Sequence, residues 1–349
     1  METFIEILKA VVFGIVEGIT EWLPISSTGH MIILGEYWGF KATQGADFYD
    51  FFLVIIQLGA ILAVVLSFFR ELWPFGSKKS PEEKREIWQT WLKILVASIP
   101  AGIIGILFDD YMDKYLYNYL VVSITLVVYG IAFLLIEYLL RRKSYRIQAR
   151  YHLNRSAKTA YEDDEEEAAD IYPLFNIRSV ANISLQYALI IGLAQCLALI
   201  PGTSRSGVTI CAALLLSIDR TTSAKFSFYL SIPAMLGGSL IKGINYGIKI
   251  AKGTADPMNG TKIAIILVGM AVAFGVSLIV IRFFMKMLQT RTFNAFGVYR
   301  ILLGIVLLIL FFTLKNGQLT TASIVLPDYY AAVSNEAPHF PSIVRARLA

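Results

Sequence analysis

Six windows of the chain, near residues 50–69, 92–108, 119–140, 226–247, 261–284 and 297–314, read as almost unbroken hydrocarbon. Each is about long enough for a helix to cross the roughly 30 Å apolar layer of a bilayer. Two further apolar stretches, residues 4–36 and 182–218, are interrupted at their middles, by Pro24 in the first and by Pro201-Gly202 in the second. Proline removes a backbone donor and clashes with the preceding turn. Each stretch should therefore form two half-helices around a break and enter and leave the membrane on one side. The pattern predicts an all-α, polytopic integral membrane protein with six transmembrane helices plus two re-entrant broken helical hairpins. Hydroxyls and ionisable side chains crowd the two breaks, where lipid cannot solvate them. Such groups are costly unless they face one another or a wet cavity, which marks them as functional.

Composition agrees: of 349 residues 56% are hydrophobic and only 16% charged, with a mean hydropathy of +0.62, which excludes a single soluble domain. Residues 7–16 resemble the core of a secretory signal, but Glu6 and Glu17 flank them and no small-residue cleavage site follows. The N-terminus is expected to stay in the mature protein. Cys196 and Cys211 have no metal-ligand spacing and are expected to pack. The net charge of +5 does not point to nucleic acid, because the basic residues gather in three connections. Arg70, Lys78, Lys79, Lys84, Arg85 and Lys93 lie in one, eight Lys or Arg lie between Arg141 and Arg178, and Arg282, Lys286 and Arg291 mark the third. Positive connections stay cytoplasmic, so those near residues 47–50, 109–113 and 253–259, and both termini, should face outward.

That count closes only if hairpin 4–36 dips in from outside and hairpin 182–218 from the cytoplasm, as an inverted-topology repeat requires. Short matches at an offset of about 178 residues agree: Pro24-Ile25-Ser26-Ser27 lies against Pro201-Gly202-Thr203-Ser204, Leu58-Gly59-Ala60 against Leu236-Gly237-Gly238, and 119–140 against 297–314. The expected organisation has a first repeat over 1–140, comprising its hairpin and three transmembrane helices. A charged cytoplasmic loop over 141–181 follows, with the run Glu162 to Glu167 read as solvated. The second repeat covers 182–314 and an outer tail 315–349.

Glu17 and Glu21 are four apart and share one helix face. Two adjacent carboxylates in a low dielectric cannot both ionise cheaply, so one keeps its proton or a cation sits between them. Either outcome suits catalysis, as a base or as a divalent-metal ligand pair; the plainer alternative is a structural pair capped by Arg205. After Pro24, Ser26 or Ser27 can cap a new helix near Thr28, and Thr203 or Ser204 can cap one running through Arg205, Ser206 and Thr209. Helix N-termini attract anions, and if the two tips meet, their ends and the Arg205 guanidinium form a phosphate pocket. Arg205 could instead snorkel to a headgroup. His30, one of three histidines, is either a satisfied core residue or a group that orients or deprotonates Ser27 or protonates a leaving oxygen. Gln57 is either functional or a helix-packing residue beside Leu58-Gly59-Ala60.

The run from Glu17 to His30, together with Pro201 to Ile210, resembles the bacterial undecaprenyl-diphosphatases, also called bacitracin-resistance proteins. Gln57-Leu58-Gly59-Ala60, Phe226-Ser227-Phe228, Ile232-Pro233 and Tyr299-Arg300 fit as well, so the resemblance covers roughly residues 4–314. It departs at the charged loop 141–178 and at the tail. The resemblance implies hydrolysis of undecaprenyl diphosphate to undecaprenyl phosphate, recycling the carrier for peptidoglycan synthesis, with bacitracin competing for the substrate. It places Glu17, Glu21, Ser26, Ser27, His30, Ser204, Arg205, Ser206 and Thr209 in the active site; of these Glu17, Glu21, Ser27, His30 and Arg205 are expected to act in catalysis, and Ser26, Ser204, Arg205, Ser206 and Thr209, with Thr28 at the start of its helix, to bind the phosphate. It further implies a divalent cation, Mg or Ca, at Glu17 and Glu21, no organic cofactor, and a bacterial inner-membrane location with the site open to the outer face. A homodimer is left open, as is the choice between Ser27 and water as nucleophile. The rival reading is a polyprenyl-phosphate transporter or flippase, because secondary carriers also build sites from broken helices in inverted repeats.

Overall fold

A computed structural model describes residues 2–116, 118–158, 175–289 and 292–315. The run Glu162 to Glu167 and the tail beyond residue 315 lie outside these. Twelve α-helices follow in order among the described residues: α1 (Glu2–Thr20), α2 (Ser27–Trp38), α3 (Phe40–Gln44), α4 (Ala46–Ser67), α5 (Phe69–Leu72), α6 (Pro81–Tyr115), α7 (Tyr119–Lys158), α8 (Leu185–Gln195), α9 (Arg205–Leu215), α10 (Arg220–Ala251), α11 (Gly260–Leu288) and α12 (Asn294–Lys315). The one extended pairing described is an isolated bridge between Ile177 and Ile218.

Five of these helices, α4, α6, α7, α11 and α12, are long and apolar enough to cross a bilayer. Only 22–39% of each apolar window is buried inside the protein, so faces carrying Leu62, Leu107, Val128, Ile279 and Ile309 take lipid as their solvent. The chain is a multi-pass, all-α membrane protein.

The sixth expected span, 226–247, lies within α10. At 32 residues α10 is long enough, but its composition leaves it outside those five. The difference follows from where it packs, against α4, α6 and α9. Ser223, Ser227, Ser231 and Ser239 are all buried on it, and their hydroxyls bond inside the protein: Ser223 to the Ile218 carbonyl, Ser231 to Phe228, Ser239 to Val54. A helix face pressed onto other helices can carry hydroxyls that find partners there, while Leu236, Leu240 and Ile244 keep the outer face apolar.

The charged segment after residue 140 begins as helix, with α7 continuing to Lys158. Arginine, lysine and glutamine are good helix formers once outside lipid. Buried Glu137 ties this end of α7 to Arg220 on α10 at 2.5 Å, and Arg141 reaches the same carboxylate at 3.6 Å.

Helix α1 packs on α11, α8 on α6, and α7 along α12. Backbones touch at glycines: a Cβ built on Gly14 would lie 2.6 Å from the Gly269 carbonyl oxygen and one on Gly59 2.2 Å from that of Met270, so α1 and α4 both close on one stretch of α11. The packing role weighed for the Gln57 region is carried by Gly59.

The two interrupted stretches break where the prolines lie. Between α1 and α2 residues 21–25 form turns; between α8 and α9 a 3₁₀ turn (Cys196–Leu199) leads into Ile200 to Ser204. With 12 and 11 residues, α2 and α9 rise about 17–18 Å, well short of the hydrocarbon thickness.

Candidate active site

Each break ends on a serine with a left-handed backbone. Ser26 has φ 73° and Ser204 has φ 66°, a region non-glycine residues seldom occupy. Both are helix caps: Ser26 Oγ accepts from the Gly29 N–H at 3.4 Å, and Ser204 Oγ accepts from Gly207 at 3.3 Å. The serines that share this role are one residue out of step with the Pro24–Pro201 pairing of the letters. Strained backbone of this kind persists where surrounding contacts dictate it and gathers at functional sites.

Ser27 is therefore the first residue of α2 and Arg205 the first of α9, and one carboxylate joins them. Glu21 Oε2 accepts from Ser27 Oγ at 2.7 Å, and Glu21 Oε1 accepts from Arg205 Nη2 at 3.1 Å. The two helix starts thus converge on Glu21, which is 7% exposed. Arg205 is steadied from behind by Nη1 donating to the Ser227 carbonyl at 2.8 Å. Trp22, fully buried, meets Phe228 edge-on at 5.2 Å and fastens the first break to the same turn of α10. Glu17, one turn before Glu21, is 1% exposed and interacts with the charges of Glu21 and Arg205. Its Oε1 has no hydrogen-bond partner.

The other expected site residues lie around this chain and bond to neighbouring protein groups. Ser206 Oγ reaches the Glu21 and Leu23 carbonyls at 3.4 Å each, so it latches the second tip onto the first. Thr209 Oγ1 bonds the Arg205 carbonyl at 2.9 Å and the Ser227 hydroxyl at 2.6 Å. Both are buried, with their hydroxyls taken up by protein. Thr28 is half-buried in the first turn of α2. Both ring nitrogens of His30 bond elsewhere than Ser27: Nδ1 lies 2.8 Å from the Ser26 carbonyl oxygen and Nε2 lies 2.7 Å from the Tyr299 hydroxyl.

A model of the family described as bacitracin resistance protein BacA matches residues 10–306. The chain belongs to the BacA family. Undecaprenyl-diphosphatase 1 of Clostridioides difficile (strain 630) is 45% identical over 316 residues, covering 90% of this chain and 100% of that protein. Undecaprenyl-diphosphatase 1 of Oenococcus oeni is 43% identical over 307 residues (88% and 97%), and the undecaprenyl-diphosphatase of Enterococcus faecalis (strain V583) is 43% identical over 305 (87% and 97%).

In this BacA-family chain the piece that sequence reasoning left without a role is Arg300. Its side chain is fully buried, with Nη1 donating to the Pro24 carbonyl at 3.3 Å and Nη2 to the Gly202 and Thr203 carbonyls at 2.8 and 2.9 Å. One guanidinium thus supplies both tips with the donors their broken helices lack. Phe133 and Tyr129 of α7 cover it, their ring centroids 5.2 and 6.0 Å away. The available signal was an arginine six residues into an apolar helix, a placement lipid disfavours.

Gly202 is a second tip residue that geometry dictates. It has φ +90°, and a Cβ there would fall 2.1 Å from Thr125 Oγ1 and 2.8 Å from the Val122 carbonyl oxygen. Thr125 bonds the neighbouring Pro201 carbonyl at 2.7 Å, so it cannot yield freely. Gly202→Ala should therefore lower stability by about 1–3 kcal/mol, from strain at a left-handed position. A fall in melting temperature in detergent, with a matching loss of turnover, is the expected result; an unchanged melting curve would contradict the close approach.

Proposed function

We propose that this BacA-family protein is a membrane phosphatase that hydrolyses undecaprenyl diphosphate to undecaprenyl phosphate and inorganic phosphate. The observation that carries the reading is the Ser27–Glu21–Arg205 chain: a hydroxyl bonded to a buried carboxylate, which is bonded to a guanidinium, at the meeting point of two helix N-termini. The names of the relatives point the same way.

Ser27 Oγ attacks the terminal phosphorus as its proton passes to Glu21 Oε2, which already accepts its hydrogen bond. The bond from phosphorus to the bridging oxygen breaks, and that oxygen leaves with its electron pair on undecaprenyl phosphate. Water then cleaves the phosphoserine, releasing inorganic phosphate and restoring Ser27. Arg205 and the free N–H groups of α2 and α9 stabilise the charge spread over the phosphoryl oxygens. Water as the direct attacking group would use the same base and cation; the 2.7 Å hydrogen bond supports Ser27.

Two carboxylates and one guanidinium leave the pocket one negative charge in excess if both acids ionise, which would repel a diphosphate. A proton on Glu17 or a divalent cation removes the excess. Among the described residues no group of three or more His, Cys, Asp or Glu could hold a metal. A carboxylate pair with one unpartnered oxygen suits Mg or Ca if phosphate oxygens complete the shell. Glu17 and Glu21 would hold it, and its chemistry there is to neutralise charge on the bound phosphates.

The pairings α1 on α11 and α8 on α6 support the inverted repeat. The resemblance to the undecaprenyl-diphosphatases implies a site open to the outer face of the inner membrane. There the enzyme would recycle the carrier for peptidoglycan synthesis and confer resistance to bacitracin, which competes for the same diphosphate.

The test is phosphate release by purified protein from a C55 or C15 isoprenyl diphosphate, with and without a chelator. Turnover that a chelator lowers and added Mg or Ca restores is the expected result. Substrate binding without phosphate release would favour a polyprenyl-phosphate carrier instead, and turnover indifferent to the chelator would remove the cation.

A further inference from the structure

The imidazole of His30 is held at both nitrogens, and the two partners differ in kind. The Ser26 carbonyl only accepts, so Nδ1 carries a proton. In the neutral ring Nε2 is then the lone-pair nitrogen, and the Tyr299 hydroxyl 2.7 Å away donates to it. When the ring gains a proton, Nε2–H becomes a donor and the same hydroxyl can turn to accept. A phenol meets both states without moving; an ammonium or a carbonyl would meet only one. The two rings are parallel within 5°, with centroids 5.7 Å apart.

Packing beside the pair sets this meeting. Leu303 lies one turn beyond Tyr299 on α12 and Leu307 one turn further, on the same face. Leu307 is fully buried with Val122 and Leu126 of α7, against Ile32 and Ile33 of α2. The bare Cα of Gly29 leaves room there for Leu126 and Leu303. The apolar contacts that seat α2 on α7 and α12 thus also bring the Tyr299 hydroxyl to the ring of His30.

We propose that Tyr299 is a positioning residue for His30, its hydroxyl keeping the imidazole in one orientation while the ring exchanges a proton during phosphate release. This rests on His30 being part of the phosphatase site. Ser27 cannot supply the orientation, because its hydroxyl is committed to Glu21.

The experiment compares Tyr299→Phe, His30→Ala and the double variant in the phosphate-release assay, each checked by its melting temperature. Phenylalanine keeps the stacked ring and removes only the hydroxyl. Tyr299→Phe is expected to lower kcat roughly 10-fold with KM little changed, as loss of an orienting partner does. The double variant is expected to be no slower than His30→Ala alone, because the two residues act as one unit. Effects that multiply, or a Tyr299→Phe variant with full kcat, overturn the proposal. Full turnover in His30→Ala also overturns it, while the phosphatase reading stands as long as Glu21→Gln is inactive. Absence of phosphate release from the unaltered protein would instead remove the function itself.

A second measurement does not depend on the folding of a position-299 variant. With His152 and His339 replaced by glutamine, His30 is the one histidine of the chain, and its ¹⁵N spectrum reports the tautomer. A neutral ring protonated at Nδ1, with Nε2 accepting a hydrogen bond, is expected; protonation at Nε2 in the neutral ring overturns the proposal.

Discussion

Glu21→Gln is expected to lower kcat for phosphate release by about 10²–10⁴-fold, the usual contribution of a positioned general base. The amide is nearly the same size. Its oxygen can still accept from Arg205 or Ser27, so the meeting of the two helix starts survives and the melting temperature should stay close to that of the unaltered protein. What disappears is the proton acceptor 2.7 Å from Ser27 Oγ. KM should change less than kcat, because the guanidinium and the helix N-termini that bind phosphate remain. Full kcat in a folded Glu21→Gln protein would move the base elsewhere and remove Ser27 from the first step.

Arg300→Leu should act in the opposite manner, through assembly of the site. Leucine fills part of the same space between Tyr129 and Phe133 but leaves the Pro24, Gly202 and Thr203 carbonyls without the donor they share. At about 1–3 kcal/mol for each of three orphaned buried acceptors, the loss is roughly 3–9 kcal/mol. A lower melting temperature and loss of phosphate release should appear together. Arg300→Lys should recover part of both, because an ammonium reaches some of the three oxygens without the planar fork. Wild-type melting and turnover in Arg300→Leu would mean that the Ser206 latch and the apolar packing suffice to hold the tips.

These two outcomes separate chemistry from construction. Glu21→Gln tests a group at the reacting hydroxyl. Arg300→Leu tests the scaffold that carries that hydroxyl to the guanidinium.

Much of this was readable along the chain wherever the cause is local. Pro24 and Pro201 mark the breaks because proline removes a backbone donor and clashes with the preceding turn, although Pro100 and Pro233 are carried inside α6 and α10. Serines cap the helices that follow because their side chains reach a backbone N–H three residues on. The letters narrowed the caps to Ser26 or Ser27 and to Thr203 or Ser204, and the fold chose Ser26 and Ser204, the two that adopt positive φ. Span 226–247 was legible as helix, but its serines made sense only once one face of α10 was seen packed on α4, α6 and α9. The continuation of α7 past residue 140 was masked by charge, which reads as loop in a membrane protein although arginine and lysine favour helix.

The sequence alone determined that the chain lives in a membrane, where its two breaks fall and which ionisable residues those breaks collect, because hydropathy, proline geometry and capping act over a few residues. Tertiary structure decided what those residues do. Glu21 meets Arg205 across 184 positions, His30 meets Tyr299 across 269, and Arg300 reaches Pro24 across 276. No local rule specifies such partners. They are set by which helices pack at glycine contacts and by the demand that every donor and acceptor freed at a break, with no water in lipid to take it, find its match in the other half of the chain.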